Sequence, residues 1–260
     1  MLSRPGEIVR QHDPDRFLTA LFAPPERRDT LFTLYAFNHE LARAREVARE
    51  PMAALIRLQW WREVVEGARR RHEVAGPLGE ALDSGHLHAA DLLGMIEGRE
   101  AETEPVATVE DWRAYVLAGA GGVAVAAGRA LGADEDALVG LRRLGAAYGA
   151  AGVLRSVPAL ARQGRCMLPD AALAAHGLTA ETVASDPASS RLRPVLHELA
   201  AAGRALLDQG RRIPVPRRAI AAALPAVLAA RDLRDPARPT RPRGFGDRAA
   251  VLLAAGLGRV

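Results

Sequence analysis

The sequence predicts an all-α fold, and three observations support that prediction. Almost half of the 260 residues are hydrophobic while only 4% are aromatic, so the core is built mainly from Ala, Leu and Val. Ala and Leu favour helices because they lose little side-chain entropy in them. Apolar residues recur with helical spacing along most of the chain, and no segment alternates in the manner of a β-strand.

Prolines and capping residues divide the chain into successive helices. Pro24 and Pro25 precede a long helix that continues to about residue 50, where Pro51 starts the next helix. Thr108 with Asp111 three residues later is an N-cap signal. The other predicted elements are a Gly/Pro loop at 76–79, helices over about 88–97, 108–131, 134–162, 170–176, 191–209 and 216–231, an exposed Arg/Pro-rich loop over 231–246 and a short final helix after Asp247.

Charge and cysteine content exclude several classes of protein. All 35 basic residues are arginines, so no lysine is present for a Schiff base or a P-loop, and the Arg and Ala bias indicates a GC-rich bacterial genome. A formal net charge of +4 is weak support for a nucleic-acid partner, and we expect none. Cys166 is the single cysteine, which fits a reducing, cytoplasmic compartment. The N-terminus lacks the apolar core of a signal peptide.

Two helix faces carry the residues on which a functional interpretation depends. On the predicted helix over 134–162, small residues share one face: Gly145, Gly149, Gly152 and Ser156. Glycine in a helix interior is roughly 1 kcal/mol less favourable than alanine, so such a row needs a reason. Either another helix packs closely there or the face lines a cavity, and the sequence leaves both interpretations open. On the predicted helix that follows Pro25 and ends near residue 50, residues spaced by four, three and four positions share a face: Tyr35, His39, Ala42 and Glu46.

Four segments resemble the squalene and phytoene synthases, which join two prenyl diphosphates head to head. LYAFNHELAR (34–43) resembles the helix of the family's first motif, and RLQWWRE (57–63) resembles a segment that follows it. AYVLAGAGG (114–122) is similar to a helix with a tyrosine and an Ala-Gly pair, which places Tyr115 and Gly121 near the family's pocket. GVLRSVPALARQGRCMLP (152–169) resembles the helix of the second motif.

The order and spacing of these segments imply the fold of the family. The resemblance covers about residues 13–230 and implies a single domain over 1–260, with an isoprenoid-synthase type helical bundle around a central cavity. It also implies pocket or ligand-binding roles for seven residues: Tyr35, His39, Glu46, Tyr115, Gly121, Arg155 and Arg165. Of these, Arg155 and Arg165 match family positions close to the diphosphate.

The carboxylates of the family's two metal-binding motifs are largely replaced in this sequence. The resemblance places the first motif, Asp-x-x-x-Asp, on Ala42 and Glu46, with His39 where the family has an arginine. The second-motif positions fall on residues without a carboxylate: Gly149, Gly152, Ser156 and Leu160.

Loss of these carboxylates weakens the expectation of prenyl transfer. Ionisation of an allylic diphosphate needs Mg²⁺ on the leaving group, and Mg²⁺ binds to carboxylate and phosphate oxygens. Glu46 is the one motif carboxylate that survives. We therefore expect no catalytic residue and no metal or other cofactor, with Mg²⁺ only if an active enzyme uses a rearranged site. Arg155 and Arg165 remain as residues that suit a diphosphate, since arginine binds such oxygens bidentately.

AFNHEL and LRSVP, which stand in place of the two motifs, resemble a side branch of the family. That branch includes mitochondrial complex I assembly factors with a squalene/phytoene synthase-like domain. The resemblance implies a binding or assembly role, either in lipid or isoprenoid handling or with a protein partner in respiratory complex I assembly, and peripheral contact with the inner membrane.

Two alternatives stay open. The first is an active head-to-head prenyltransferase with a rearranged metal site, which needs at least two carboxylates converging on the pocket. The second is a helical interaction scaffold without a ligand, which needs a filled core and an exposed apolar patch. A lipid binder instead needs a deep, open apolar cavity.

Overall fold

The computed structural model describes residues 1–47, 51–237 and 241–260. Within these ranges, residues 46, 47, 51 and 103 are described by their backbone alone. The described residues contain no β-strand, which confirms the all-α prediction. The helices are α1 (Arg4–His12), α2 (Pro14–Ala20), α3 (Pro25–Val47), α4 (Pro51–Val65), α5 (Ala75–Asp83), α6 (Ala89–Glu100), α7 (Val109–Ala130), α8 (Glu135–Ala161), α9 (Asp170–Ala174), α10 (Ala180–Ser185), α11 (Arg193–Arg211), α12 (Ile220–Ala223), α13 (Pro225–Asp232) and α14 (Phe245–Leu257).

Helices α7 and α8 form the centre of the bundle, and the sequence marks where both begin. Thr108 accepts a hydrogen bond from the Asp111 N–H at 3.1 Å, and the Asp111 carboxylate accepts one from the Thr108 N–H, which is a capping box. Asp134 caps α8 by accepting from the Ala137 N–H. Both helices begin where the sequence predicts, and α11 and α13 pack on α8 from the other side.

Helix α5 replaces a predicted loop. Gly76, Pro77 and Gly79 indicate a loop in sequence, but they lie within α5 (Ala75–Asp83). Pro77 falls in the first turn, where its missing N–H would have no intrahelical acceptor. The prediction was wrong because Leu78 and its buried neighbours pack into the core, which outweighs the weak helix propensity of glycine.

Three short helices have no predicted counterpart, namely α1, α2 and α10. Each begins with a side-chain cap: Ser3 accepts from the Gly6 N–H, Asp13 accepts from the Arg16 N–H, and Thr179 accepts from the Thr182 N–H. Helix α1 packs on α3, so these N-terminal residues complete the wall behind the first-motif helix. No described helix combines the length and apolarity that a bilayer crossing requires.

The Arg/Pro-rich segment is only partly the exposed loop that the sequence predicts. Helix α13 continues to Asp232, and α14 begins at Phe245 rather than after Asp247. Arg243, within this segment, keeps only 13% of its side chain exposed because it enters a cluster of charged groups on the body of the protein. Residues 238–240 of the predicted loop lie outside the described part of the chain.

Candidate functional site

A cavity of about 260 Å³ lies where α3, α7 and α8 face the segment that follows α6. Its lining includes eight of the positions that the resemblance singles out: Ala42, Tyr115, Gly149, Gly152, Arg155, Ser156, Leu160 and Arg165. The structure therefore brings Ala42 of the first motif and the four second-motif positions together across one space.

The row of small residues on α8 has two different surroundings. A Cβ atom at Gly145 would lie 2.5 Å from the Ala124 Cβ, and one at Gly149 would lie 2.6 Å from the Ala120 Cβ. Glycine is required at these two positions because α7 approaches α8 closely. A Cβ atom at Gly152 would meet nothing within 4 Å, so this end of the row faces the cavity. Each of the two open interpretations therefore describes one part of the row.

Several residues predicted for the pocket lie elsewhere. His39 stacks on His12 with the ring centroids 4.3 Å apart, and burial followed by the His12 charge lowers its pKa. Gly121 packs against α8, where an added Cβ would lie 2.7 Å from the Arg142 carbonyl oxygen. Tyr35 is buried beside the cavity rather than in its lining. The side chain of Glu46 lies outside the described part of the structure.

Asn38 is the residue of the first-motif helix that the sequence analysis missed. It lines the cavity four residues before Ala42, and its side-chain oxygen accepts a hydrogen bond from Arg99 at 3.2 Å. Residues four apart on a helix share a face, so the spacing to Ala42 could have identified it. His39, one residue later, projects about 100° further round the helix, as the helical pitch of 3.6 residues per turn requires.

Glu102 organises the wall opposite the motif helices. Its carboxylate accepts hydrogen bonds from Arg99 at 2.6 Å, from the Tyr115 hydroxyl at 2.9 Å and from Arg165 at 3.3 Å. Only 5% of the Glu102 side chain is exposed. The residue lies in a 3₁₀ turn directly after α6, in a stretch of sequence with three glutamates whose pattern does not distinguish the buried one.

The electrostatics of this network fix its charge state. Burial alone would raise the pKa of Glu102, but Arg99, Tyr115 and Arg165 outweigh burial, so that the pKa lies below its ordinary value. Burial and the adjacent Glu102 charge raise the pKa of the Tyr115 hydroxyl. Near neutral pH, Glu102 is therefore ionised and Tyr115 is a neutral donor.

A second charged cluster lies at the edge of the cavity, on Arg155. This arginine is 3.1 Å from Asp232 and 3.7 Å from Asp15. Arg243 binds the same two carboxylates, with nitrogen–oxygen distances of 2.7 Å to each. Asp15 and Asp232 are two carboxylates that the sequence analysis did not place, and Arg243 bridges them.

Arg16 is the most deeply buried cation at the cavity. It pairs with Asp13 at 2.9 Å, and its guanidinium lies over the rings of Tyr35 and Tyr148, 5.6 and 5.0 Å from their centroids. Burial raises the pKa of Tyr35 to about 12 although Arg16 opposes the shift. Tyr35 therefore supports a cation at the cavity instead of lining the cavity itself.

The donor groups around the cavity do not fit the Mg²⁺ that the fold family implies. Among the described lining residues, Glu102 is the single carboxylate, and its oxygens already accept from two arginines and a tyrosine. The described positions of both motifs are occupied by glycine, by the hydrocarbon side chains of Ala42 and Leu160, and by Ser156. The Ser156 hydroxyl donates a hydrogen bond to the Gly152 carbonyl. In the described part of the chain, no three His, Cys, Asp or Glu side chains are grouped as metal ligands.

The cationic side chains around the cavity suit a different ligand. Four arginines and one glutamate are the charged residues of the lining. Guanidinium groups bind phosphate and carboxylate oxygens in a planar, bidentate geometry. The described side chains of the lining therefore suit an anion better than a metal cation.

Comparison with known proteins decides the family. The sequence model of the squalene/phytoene synthases matches residues 9–253. The chain belongs to the squalene/phytoene synthase family. Its fold is similar to that of a dehydrosqualene synthase in complex with ligand, with a TM-score of 0.78 and 17% identity over 97% of this chain and 94% of that one. It is also similar to squalene synthase HpnC from Alicyclobacillus acidocaldarius, with a TM-score of 0.68, 22% identity and coverage of 97% and 92%.

Characterised relatives in sequence carry a different name from these structural neighbours. The human protein named NADH dehydrogenase (ubiquinone) complex I, assembly factor 6, is 26% identical over 230 residues, which cover 85% of this chain and 69% of that protein. Its counterpart from Rattus norvegicus is 27% identical over 240 residues, with coverage of 88% and 70%. This family member is thus similar to synthases in fold and to assembly factors in sequence.

Proposed function

We propose that this member of the squalene/phytoene synthase family acts by binding, as an assembly factor similar to complex I assembly factor 6, and does not transfer prenyl groups. The observation that carries the proposal is the replacement of motif carboxylates in a cavity that is still open. Ala42, Gly152 and Leu160 line it where the family needs metal ligands.

The ligand that we propose for the cavity is an isoprenoid or other lipid with an anionic head group. Arg155 and Arg165 line the cavity, and the buried Glu102 holds Arg165 in place. No metal is required to neutralise such a head group, because the arginines supply the positive charge directly.

A neighbouring groove suits the apolar part of such a ligand. A space of about 510 Å³ lies between α6 and α7, and it shares Tyr115 and Met167 with the cavity. Much of its lining consists of small or apolar residues, such as Gly94, Ala118 and Val125. An acyl or prenyl chain there would continue from a head group held by the arginines.

Two features favour this proposal over the alternatives. A prenyltransferase with a rearranged metal site would need free carboxylates, and Asp15 and Asp232 are both bound by Arg243. A scaffold without a ligand would need a filled core, and the space at Gly152 is open.

Binding of farnesyl thiodiphosphate, measured by calorimetry with EDTA or with Mg²⁺, tests the cavity. We expect the same affinity in both buffers, and a loss of about ten-fold in Arg165→Gln. Arg162→Gln is the matched control, because Arg162 is exposed and lies outside the cavity lining. Binding that requires Mg²⁺ would contradict the proposal, and so would equal affinities in the two variants.

The assembly role has a separate test in the cell. Deletion of the gene is expected to lower the NADH dehydrogenase (ubiquinone) activity of isolated membranes, and the wild-type chain is expected to restore it. Restoration by the Arg165→Gln variant would separate assembly from ligand binding. Unchanged activity in the deletion strain would contradict an assembly role whatever the cavity binds.

A further inference from the structure

The positive charge of the chain is concentrated at its C-terminal end. Seven of the 35 arginines but only three of the 31 acidic residues lie after residue 230, so this segment accounts for the whole formal net charge of +4. In the preceding residues, the positive and negative formal charges balance. Arg234, Arg241 and Arg248 are exposed and form no ion pair within the described structure.

The same segment exposes an apolar helix face. Four of the nine exposed large hydrophobic residues of the described chain lie on α14: Phe245 is 89% exposed, Leu252 57%, Leu253 65% and Leu257 57%. Ala249 and Gly256 lie between them on the helix surface. The face that a surface helix normally presents to water with polar residues is here apolar along the whole length of α14.

Contacts on the opposite face hold α14 in this orientation. Val251, Ala254 and Ala255 are buried, and the helix packs on α13. Arg231 binds Asp247 at 2.6 Å near the start of the helix, and Arg217 donates to the Gly256 carbonyl at 3.2 Å near its end. The exposed face is therefore fixed outward, and it needs no rearrangement to be presented to a partner.

Charge distinguishes this face from the other exposed apolar site. Helix α4 exposes Met52 and Ile56 to a similar degree, but the groove beside Ile56 also contains Glu63 and Glu100. An anionic surface would be repelled by carboxylates and attracted by unpaired arginines. In the described part of the chain, the α14 face therefore combines four exposed apolar side chains with nearby exposed arginines that form no ion pair.

We propose that α14 docks this protein on an anionic lipid bilayer. Leu252, Leu253 and their apolar neighbours insert at the level of the head groups, and the flanking arginines contact lipid phosphates. Gly244 and Asp247, at the start of α14, line a basic space of about 510 Å³ together with Arg155, and Arg155 also lines the cavity. Docking through α14 thus places the rim of the cavity beside the membrane.

Co-sedimentation with vesicles tests this proposal on the full chain. We expect binding to vesicles of equal parts phosphatidylcholine and phosphatidylglycerol, and little binding to phosphatidylcholine alone. Leu252→Ser with Leu253→Ser should lower the affinity for anionic vesicles by about ten-fold or more, since two buried leucines are lost. Met52→Ser with Ile56→Ser is the matched control and should bind like the wild type.

The electrostatic part has its own matched pair. Arg234→Gln with Arg241→Gln should lower the affinity by about ten-fold at low salt, whereas Arg57→Gln with Arg71→Gln, exposed arginines elsewhere, should leave it unchanged. The difference should disappear at about 1 M salt, where charges are screened over about 3 Å. Circular dichroism checks that all variants are folded.

Three results would overturn the proposal. The first is equal binding to both kinds of vesicle, and the second is equal binding by the α14 variants and their controls. The third is a concentration-dependent dimer in light scattering that Leu252→Ser with Leu253→Ser abolishes, without vesicle binding, which would assign the face to a second copy of the chain. None of these results depends on what the cavity binds, so the proposed function is tested separately.

Discussion

The two walls of the cavity differ in the charges that they carry. On the wall formed by α3 and α8, motif positions such as Ala42, Gly152 and Leu160 carry no charge. On the opposite wall, Glu102 is buried and accepts hydrogen bonds from Arg99 and other donors. The described motif positions on one wall carry no carboxylate, while the other wall presents arginines that Glu102 holds in place. The one acidic group left in the described lining serves to position arginines.

The largest effect is expected for Glu102. Glu102→Gln removes the charge that compensates Arg99 and Arg165, so the free energy of unfolding should fall by about 3–5 kcal/mol. Glu104→Gln, two residues away and exposed, should change it by less than about 0.5 kcal/mol. Urea titration measures both. Equal stability of the two variants would mean that the network on this wall does not hold the site together.

The pH dependence of the same variant sharpens this test. The pKa of Glu102 is lowered in the folded state, so its contribution to stability is complete above the unfolded pKa of about 4.3 and is lost as the pH falls through the folded pKa. The stability difference between the wild type and Glu102→Gln should therefore be constant from neutral pH to about pH 5 and shrink below it. A difference that grows on acidification would contradict the sign of the shift.

On the other wall, Gly149→Ala should have the next largest effect. The added methyl group would lie 2.6 Å from the Ala120 Cβ, so α7 and α8 would have to move apart. We expect a loss of about 1–3 kcal/mol in the free energy of unfolding. Thermal denaturation measures it, and an unchanged midpoint would mean that α7 and α8 are not closely packed at this position.

Gly152→Ala should change stability in the opposite direction. Nothing lies within 4 Å of the added Cβ, so the higher helix propensity of alanine should raise the free energy of unfolding by about 0.5–1 kcal/mol. The two substitutions are chemically identical and one helical turn apart. If both destabilised the protein, the cavity at Gly152 would be closed in solution.

Restoring acids to the uncharged motif positions should have the smallest effect, and it concerns activity. Ala42→Asp with Ser156→Asp returns two of the motif carboxylates, but Gly149, Gly152 and Leu160 still provide no metal ligand. We expect no Mg²⁺-dependent product from this double variant. Steady product formation would show that the metal site needs fewer groups than the family pattern implies.

Sequence periodicity predicted the long helices because each buries a continuous apolar stripe. It failed where the signals are short or conflicting. Helices α1 and α2 are short, and capping side chains and packing on neighbouring helices stabilise them. In α5, the glycines and the proline indicate a loop, but the buried Leu78 packs this segment into the core as a helix.

Site residues could be predicted from the sequence only where a motif or a helical spacing marks them. The resemblance identified the motif positions, and the spacing of four residues would also have identified Asn38. The contact of Arg243 with Asp15 joins residues 228 positions apart, and no local pattern specifies it. Likewise, nothing in the sequence distinguishes the buried Glu102 from the exposed Glu104 beside it.

Turnover of a prenyl diphosphate tests the central claim most directly. Pyrophosphate release and organic-soluble product would be followed with farnesyl or geranylgeranyl diphosphate and Mg²⁺, beside an active family enzyme as control. Binding without catalysis predicts no release above background from folded protein. Clear release that is lost in Glu46→Ala would contradict the account and would identify a working prenyltransferase with a rearranged metal site.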